Sequence, residues 1–209
     1  MIALVQGLFV KVYQVPSESM EQTLMPGDRL LVNRLAYAGA APAAGDIVVF
    51  ERPDQWRENR PERGALRTIV GWFGDIFGFG PSNSDALVKR VIAGPGQTIS
   101  CCDASGRLLK DGEPSEEPYL GSDLPFESGT LDCESATVSL RCFPSLTIPE
   151  GQYLVLGDNR ARSSDGISPC RGVAVGDGSE CARLVPREDI IGAVFFIVLP
   201  VDRWGAPRP

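Results

Sequence analysis

Short apolar segments that end at turn residues dominate this chain of 209 residues. Beyond the first dozen residues, no long stretch shows the three-and-four spacing of an amphipathic helix. Runs of this length, rich in valine, isoleucine and aromatic residues, are typical of strands. They lie at residues 29–35, 47–50, 87–92, 152–156 and 190–199. The sequence therefore predicts a mainly β protein whose core is a closed or partly open β-barrel.

The chain contains no histidine, which limits the chemistry that it can perform. Catalytic sites of the Ser-His-Asp and Cys-His kinds are excluded, and so are zinc sites that use imidazole. A serine nucleophile would need another base, for which lysine is the known alternative. The formal net charge of −7 argues against a nucleic-acid partner, because such a partner requires a basic face. Neither a metal nor another cofactor is predicted.

Residues 1–14 begin with an apolar run that is too short to cross a bilayer, for which about 20 apolar residues are needed. The run lacks the basic start and the small-residue cleavage site of a signal peptide. We interpret residues 1–14 as the end of an N-terminal membrane-anchor helix. A buried N-terminal helix or strand is the alternative.

Two serines, Ser17 and Ser19, stand two positions apart directly after this segment. In extended backbone they would face the same side, and Pro16 restricts the chain just before them. Lys89 is the second unusual residue, because a lysine inside an apolar strand is costly unless it is neutral or has a partner. The plain alternatives are an ordinary loop for the serines and a solvated strand face for Lys89.

Four blocks of sequence, in order, resemble those of the type I signal peptidases. The first block resembles the nucleophile motif Pro-Ser-(Gly/Glu)-Ser-Met-x-Pro-Thr-Leu, and the others resemble the second-strand, lysine and last blocks of that family. They cover residues 15–24, 45–50, 88–96 and 157–165. The Ser-Glu-Ser sequence of the first block and the late cysteines favour the actinobacterial variant of the family.

The chain departs from the family pattern at three places. Gln22 stands where proline is usual, and Gln97 stands where aspartate is frequent. Gly166-Ile167 follows Asp165 where the family usually has Ser-Arg. This last departure affects a supporting ion pair of the family.

The resemblance implies a serine–lysine catalytic pair. Ser19 would be the nucleophile and Lys89 the general base, with Ser163 orienting the amine. The Ser17 hydroxyl and the Ser19 backbone N–H would form the oxyanion hole. The residues expected to support this corner are Asp158, Asn159, Arg160 and Asp165. The residues expected to line shallow apolar substrate pockets are Val15, Met20, Leu24 and Val88.

The implied function is that of a membrane-anchored serine endopeptidase that removes signal peptides from secretory preproteins after an Ala-x-Ala-like site. The resemblance places a single-pass anchor in the plasma membrane and the catalytic domain on the extracytoplasmic side. One alternative is a self-cleaving protein like the SOS repressors, which share Ser–Lys chemistry but carry a DNA-binding domain. The other is an inactive, membrane-tethered β-domain that only binds peptides.

The chain is predicted to carry two insertions in its catalytic β core. The core comprises residues 15–50, 86–102 and 150–200, and residues 103–149 form an inserted β subdomain. The other insertion, residues 51–85, contains apolar side chains that nearly follow helical spacing, at Ile69, Trp72, Phe73, Ile76, Phe77 and Phe79. Aromatic residues favour the bilayer interface, so residues 68–79 are expected to contact membrane lipid. Packing of this stripe on the barrel is the alternative.

Six cysteines, all after the lysine block, fit disulfides formed in an oxidising compartment. Cys170 and Cys181 are expected to pair, because the short loop between them contains proline and several glycines. The other expected pairing joins Cys101 or Cys102 to Cys133 or Cys142. Buried free cysteines are the alternative.

Overall fold

The computed structural model describes residues 9–56 and 85–208. Within these ranges it contains eleven strands and seven 3₁₀ helices of three residues each, which confirms the prediction of a mainly β protein. The strands are β1 (Val10–Gln14), β2 (Arg29–Asn33), β3 (Ile47–Glu51), β4 (Ala86–Ala93), β5 (Thr98–Cys101), β6 (Leu108–Lys110), β7 (Glu113–Pro114), β8 (Phe143–Thr147), β9 (Gln152–Leu156), β10 (Val185–Pro186) and β11 (Ile190–Leu199). The 3₁₀ helices span Glu18–Met20, Asp54–Trp56, Arg160–Arg162, Ser168–Cys170, Gly178–Glu180, Arg187–Asp189 and Val201–Arg203.

The strands form two antiparallel sheets. The larger sheet has the order β1-β2-β11-β3-β4-β9-β10, and the smaller has the order β7-β6-β5-β8. In the described ranges the edge strands β1 and β10 do not pair with each other, so the barrel predicted for the core does not close. One reason is that β10 is two residues long and ends at Pro186, which has no backbone N–H to donate to a further strand.

Residues Val10–Gln14 form a strand, so the predicted membrane-anchor helix is wrong for this part of residues 1–14. The strand pairs along its whole length with β2. Lys11 and Tyr13 share a face, with the ammonium 5.1 Å from the ring centre, as expected for positions i and i+2 of a strand. Residues 1–8 lie outside the described ranges. Among the residues that are described, no helix combines the length and the apolar character needed to cross a membrane.

The central strand β3 is buried on both faces, as its continuous apolar sequence predicts. Val48 and Phe50 pack into one apolar cluster, and Ile47 and Val49 pack into another on the opposite face. This alternation follows from the two-residue period of a strand. β3 therefore forms a rigid base for its neighbour β4, which carries Lys89.

The smaller sheet contains β5, which pairs with β6 and β8. The sequence-based division leaves residues 98–101 in the catalytic core, whereas their hydrogen bonds group them with the inserted segment. Ile92 of β4 and Ile99 of β5 belong to one apolar cluster, so the two sheets share a core. The division of the chain into domains stays a prediction.

The cysteines are joined in three pairs. Cys170 and Cys181 are bonded, as the sequence predicts, with 5.2 Å between their Cα atoms. The predicted pairing across the insertion is not found, because Cys133 is bonded to Cys142 and Cys101 to Cys102. The turns of the inserted segment bring Cys133 and Cys142 together, with Cα atoms 5.5 Å apart.

Candidate active site

Ser19 and Lys89, which are 70 positions apart in the sequence, meet in the folded chain. The Lys89 ammonium nitrogen Nζ donates a hydrogen bond of 2.6 Å to Ser19 Oγ. Both residues are buried, with 5% of Ser19 and 4% of Lys89 exposed. Since nothing local connects the 3₁₀ helix that holds Ser19 to the middle of β4, only the tertiary fold creates this contact.

The backbone around Ser19 is fixed by its neighbours. Met20, the next residue, is completely buried, and so is Leu24. Val15 ties the start of this segment to its end, because its N–H donates to the Asp28 carbonyl and its carbonyl accepts from the Gly27 N–H. The Ser19 carbonyl accepts a hydrogen bond of 3.1 Å from the Asn159 backbone N–H. The serine hydroxyl is therefore held in place by apolar burial on one side and by the 157–165 loop on the other.

Burial lowers the pKa of Lys89 from 10.5 to about 8. The cause is desolvation, which disfavours the charged ammonium. The carboxylates of Asp165 and Asp158 act in the opposite direction, and Arg52 lowers the pKa slightly further. With a pKa near 8, about one Lys89 in ten is neutral at pH 7, which is far more than for a free lysine. The Lys89 amine also donates to the carbonyl of Val88 at 3.1 Å.

Ser17, the other serine of the motif, lies beside Ser19 with its Oγ 3.3 Å from Ser19 Oγ. Its backbone is extended, with φ −143° and ψ 165°. The two hydroxyls lie close together, but the extended segment predicted for them is not found: Ser19 lies in the 3₁₀ helix Glu18–Met20, and the turn from Ser17 into that helix brings the hydroxyls together.

Ser163 does not orient Lys89 through a hydrogen bond in this structure. Within the described part of the chain, its buried Oγ has no hydrogen-bond partner. The Lys89 amine is directed instead to Ser19 Oγ and to the Val88 carbonyl. Ser163 nevertheless lies at the site, because a Cβ atom on Gly157 would collide with both Ser163 Oγ and the carbonyl oxygen of Ser19.

Asp158, one of the predicted supporting residues, forms a buried ion pair with Arg90. The Arg90 guanidinium donates to both carboxylate oxygens, at 2.8 and 2.6 Å. Thr23 donates a further bond of 2.6 Å to Asp158, and the ring of Tyr119 lies 4.0 Å from the Arg90 guanidinium. Sequence reasoning missed Arg90, although it directly follows Lys89 in the lysine block, and also missed Thr23 and Tyr119.

Asn159 and Arg160 join the same corner to other parts of the chain. Asn159 donates from its side chain to Glu21 at 3.1 Å. Arg160 donates to the Gly157 carbonyl at 2.9 Å and forms a buried ion pair with Glu117 of the inserted segment. Two buried charges whose hydrogen bonds are satisfied hold a loop firmly, because separating them would leave either charge unpaired. Glu117 was also missed by sequence reasoning.

A small cavity of about 40 Å³ opens beside the serine–lysine pair. Of the four predicted pocket residues, only Val88 lines it. Val15, Met20 and Leu24 instead belong to the core underneath, where they pack with one another. The apolar part of the cavity wall is formed by Tyr13, Pro16, Leu30, Val49, Ala86, Leu87 and Val88.

The fold and the site together define a mainly β protein with a buried serine–lysine pair beside a small apolar cavity. The family model described as "Signal peptidase, peptidase S26" matches residues 1–199. The chain is 36% identical to the probable signal peptidase I of Mycobacterium leprae, over 92% of this chain and 70% of that protein. It is 35% identical to the signal peptidase I of Mycobacterium tuberculosis strain H37Rv, over 94% of this chain and 67% of that protein.

A solved signal peptidase I from Enterococcus faecalis V583 covers 73% of this chain with 25% sequence identity, and 96% of that chain is matched, with a TM-score of 0.37. The match to the family model and the mycobacterial relatives are sufficient to assign the family. The chain belongs to the signal peptidase family, peptidase S26, and is a serine endopeptidase of the signal peptidase I type.

Proposed function

We propose that this protein removes signal peptides from secreted preproteins, with Ser19 as the nucleophile and Lys89 as the general base. The single observation that carries the proposal is the buried hydrogen bond of 2.6 Å between Ser19 Oγ and Lys89 Nζ. When the amine is neutral, Ser19 Oγ becomes the hydrogen-bond donor and Lys89 Nζ the acceptor, so that Lys89 can take the serine proton. A chain without histidine needs this kind of base.

The reaction divides into two steps, acylation and deacylation of Ser19. Ser19 Oγ attacks the carbonyl carbon of the scissile peptide bond while its proton moves to Lys89 Nζ. Lys89 then gives that proton to the nitrogen of the leaving peptide, and the signal peptide remains as an ester on Ser19. Lys89 then takes a proton from a water molecule, whose oxygen attacks the ester carbon, and it returns that proton to Ser19 Oγ as the signal peptide leaves.

The negative oxygen that forms during each step needs hydrogen-bond donors. The Ser17 hydroxyl and the Ser19 backbone N–H are the proposed donors. Support comes from the position of Ser17 Oγ, 3.3 Å from Ser19 Oγ, on the residue directly before the 3₁₀ helix that holds Ser19. One donor of this kind typically contributes about 2.7–4 kcal/mol of transition-state stabilisation.

The shape of the site supports a preference for small residues next to the cleaved bond. A volume of about 40 Å³ is roughly three times what a single water needs, so a bulky side chain cannot enter without moving the wall. This fits an Ala-x-Ala-like cleavage site better than a site with large residues. Val88 is the proposed selectivity residue, since it lies in the wall next to Lys89.

The preprotein is proposed to bind as an extended strand. In the described ranges β4 pairs with β9 only from Arg90 onward, so Ala86–Lys89 have a strand partner on the β3 side alone. The cavity lies between this half of β4 and the end of β1. An extended peptide placed there would gain backbone hydrogen bonds and would present its side chains alternately to the cavity.

The protein is further proposed to act at the plasma membrane, with the catalytic domain on the extracytoplasmic side. A signal peptide is itself apolar, so an enzyme anchored in the same bilayer meets its substrate there. Lipid contact by residues 68–79 remains part of this proposal, and these residues lie outside the described ranges.

Cleavage of a purified preprotein in detergent tests the proposed function. The wild-type chain should release the mature protein at a single bond, and Ser19→Ala should release none. Arg107→Gln, at an exposed position in the turn before β6, is the control and should cleave like the wild type. An inactive wild-type chain that still binds the signal peptide would instead support the peptide-binding alternative.

A further inference from the structure

Asp165 is a completely buried carboxylate next to the serine–lysine pair. It accepts a hydrogen bond of 3.2 Å from the backbone N–H of Gly157, the residue at which a Cβ atom would collide with Ser163 and Ser19. Ser168 donates a second bond to it at 3.1 Å. Two neutral donors do not compensate a buried charge, so the position calls for a cation.

The residue at which the family usually carries an arginine cannot supply that cation. Ile167 is apolar, 2% exposed, and packs into the core that the two sheets share. The cation nearest to Asp165 in the described ranges comes from four residues further on. Arg171 places its Nη2 atom 3.4 Å from Asp165 Oδ1, and its side chain is only 12% exposed.

The backbone around Arg171 is tied on both sides. Cys170, the residue before it, is bonded to Cys181, and Gly172, the residue after it, donates a hydrogen bond of 2.9 Å to the Cys142 carbonyl. A side chain that starts from a fixed backbone loses less freedom when it forms an ion pair. The cysteine pair thus holds the guanidinium within reach of Asp165.

We propose that Arg171 is a positioning residue for the cleavage reaction. It takes the place of the arginine that the family usually has at the position of Ile167. Its ion pair keeps the Asp165 carboxylate hydrogen-bonded to the backbone N–H of Gly157, beside Ser19. The inference rests on the proposed function of Ser19 and Lys89. Arg160, another cation whose charge interacts with Asp165, cannot do this alone because it is already paired with Glu117.

The Arg171–Asp165 ion pair affects the pKa of Lys89. The charged groups that act on its amine are Asp165, Asp158 and Arg52, and the two carboxylates favour the protonated form. Arg90 compensates Asp158, and Arg171 compensates Asp165. Without the Arg171 charge, Asp165 would favour the ammonium form of Lys89 more strongly, so the neutral base would form only at higher pH.

The test is the pH dependence of kcat/KM for preprotein cleavage in Arg171→Gln, Arg171→Lys and the wild type. In Arg171→Gln we expect the alkaline-rising midpoint to move up by about 0.5 to 1, which lowers the neutral amine at pH 7 by about threefold to tenfold. The loss should appear in kcat, because Arg171 does not touch the substrate. Arg171→Lys keeps the charge and should return the midpoint toward the wild-type value.

Two further variants keep the outcome decisive. Arg171→Met keeps an apolar stem of similar length and carries the same test if Arg171→Gln does not fold, and Arg107→Gln should leave the midpoint unchanged. A folded Arg171→Gln or Arg171→Met protein with the wild-type midpoint and kcat would overturn the inference. That result would leave the proposed function of Ser19 and Lys89 intact. A wild-type protein that does not cleave the preprotein would contradict both the proposed function and the role of Arg171.

Discussion

Asp158 receives two hydrogen bonds from the guanidinium of Arg90, the residue that directly follows Lys89 in β4. The pair is almost fully buried, with 9% of the Arg90 side chain and none of the Asp158 side chain exposed. It fastens the 157–165 loop to the strand that carries the proposed base. The distance between Ser19 and Lys89 therefore depends on an ion pair that contains neither residue.

Asp158→Asn tests whether the ion pair with Arg90 holds the loop on the strand. The variant keeps the shape of the side chain but leaves Arg90 as an uncompensated buried charge, so we expect the free energy of unfolding to fall by about 3–5 kcal/mol. Urea denaturation monitored by tryptophan fluorescence measures the change. Glu116→Gln, whose side chain and partner Arg107 are both exposed, is the control and should keep the wild-type midpoint. Equal midpoints for both variants would contradict the proposed fastening.

The stability of the protein should also depend on the charge of Lys89. Its pKa is depressed from 10.5 to about 8, so the unfolded chain binds more protons than the native chain between these values. The penalty for burying the ammonium is therefore complete below pH 8 and disappears as the pH approaches 10.5.

Lys89→Met removes that penalty and should stabilise the fold at pH 7, by on the order of 3 kcal/mol at most. The advantage over the wild type should shrink as the pH rises through the window from 8 to 10.5. Thermal melts at pH 7, 8, 9 and 10 measure the difference, with Lys110→Met in β6 as the matched control. A Lys89→Met protein that is less stable than the wild type at every pH would refute the assignment of a desolvated ammonium.

The small cavity predicts how specificity can be changed. Val88→Ala removes two methyl groups from its wall and should admit a larger residue at the cleavage site. We expect kcat/KM for a preprotein with leucine in place of the small residue to rise by about tenfold relative to the parent substrate, the size typical of a change in an apolar pocket. Val201→Ala, at an exposed position, is the control. An unchanged ratio would place the selectivity elsewhere.

The meeting of Ser19 and Lys89 was predictable because four blocks of sequence occur in a fixed order, which specifies a fold even though no local feature joins the two residues. The strands were predictable from apolar runs such as Ile47–Glu51, where valine, isoleucine and phenylalanine alternate between two cores. The prediction of an anchor helix was wrong for Val10–Gln14. An apolar run of that length is compatible with a helix or a strand, and only the pairing with β2 determines that it is a strand.

The parts of the site that could not be predicted depend on distant packing. Met20 and Leu24 are apolar residues beside a nucleophile, which suits a pocket wall or a core equally, and burial alone distinguishes the two. The partner of Arg160 is Glu117, a residue of the inserted segment, and no spacing in the sequence indicates how that segment folds back. Arg171 reaches Asp165 only through the turn that ends at Cys170.

Activity should rise with pH as Lys89 loses its proton. With a pKa of about 8, kcat/KM for preprotein cleavage should increase from mildly acidic pH and level off above pH 8, because only the neutral amine accepts the serine proton. A profile measured between pH 5 and 9 tests this. A flat profile would contradict a lysine base.

Cleavage by Lys89→Arg tests the serine–lysine mechanism most directly. Arginine keeps a positive charge and a hydrogen-bond donor near Ser19, but a guanidinium does not deprotonate at any working pH. Lys89→Arg should therefore retain less than about 1% of the wild-type kcat, since positioned proton transfer contributes about 10²–10⁴-fold. A folded Lys89→Arg protein that cleaves the preprotein at more than a few per cent of the wild-type rate would contradict the assignment of Lys89 as the base.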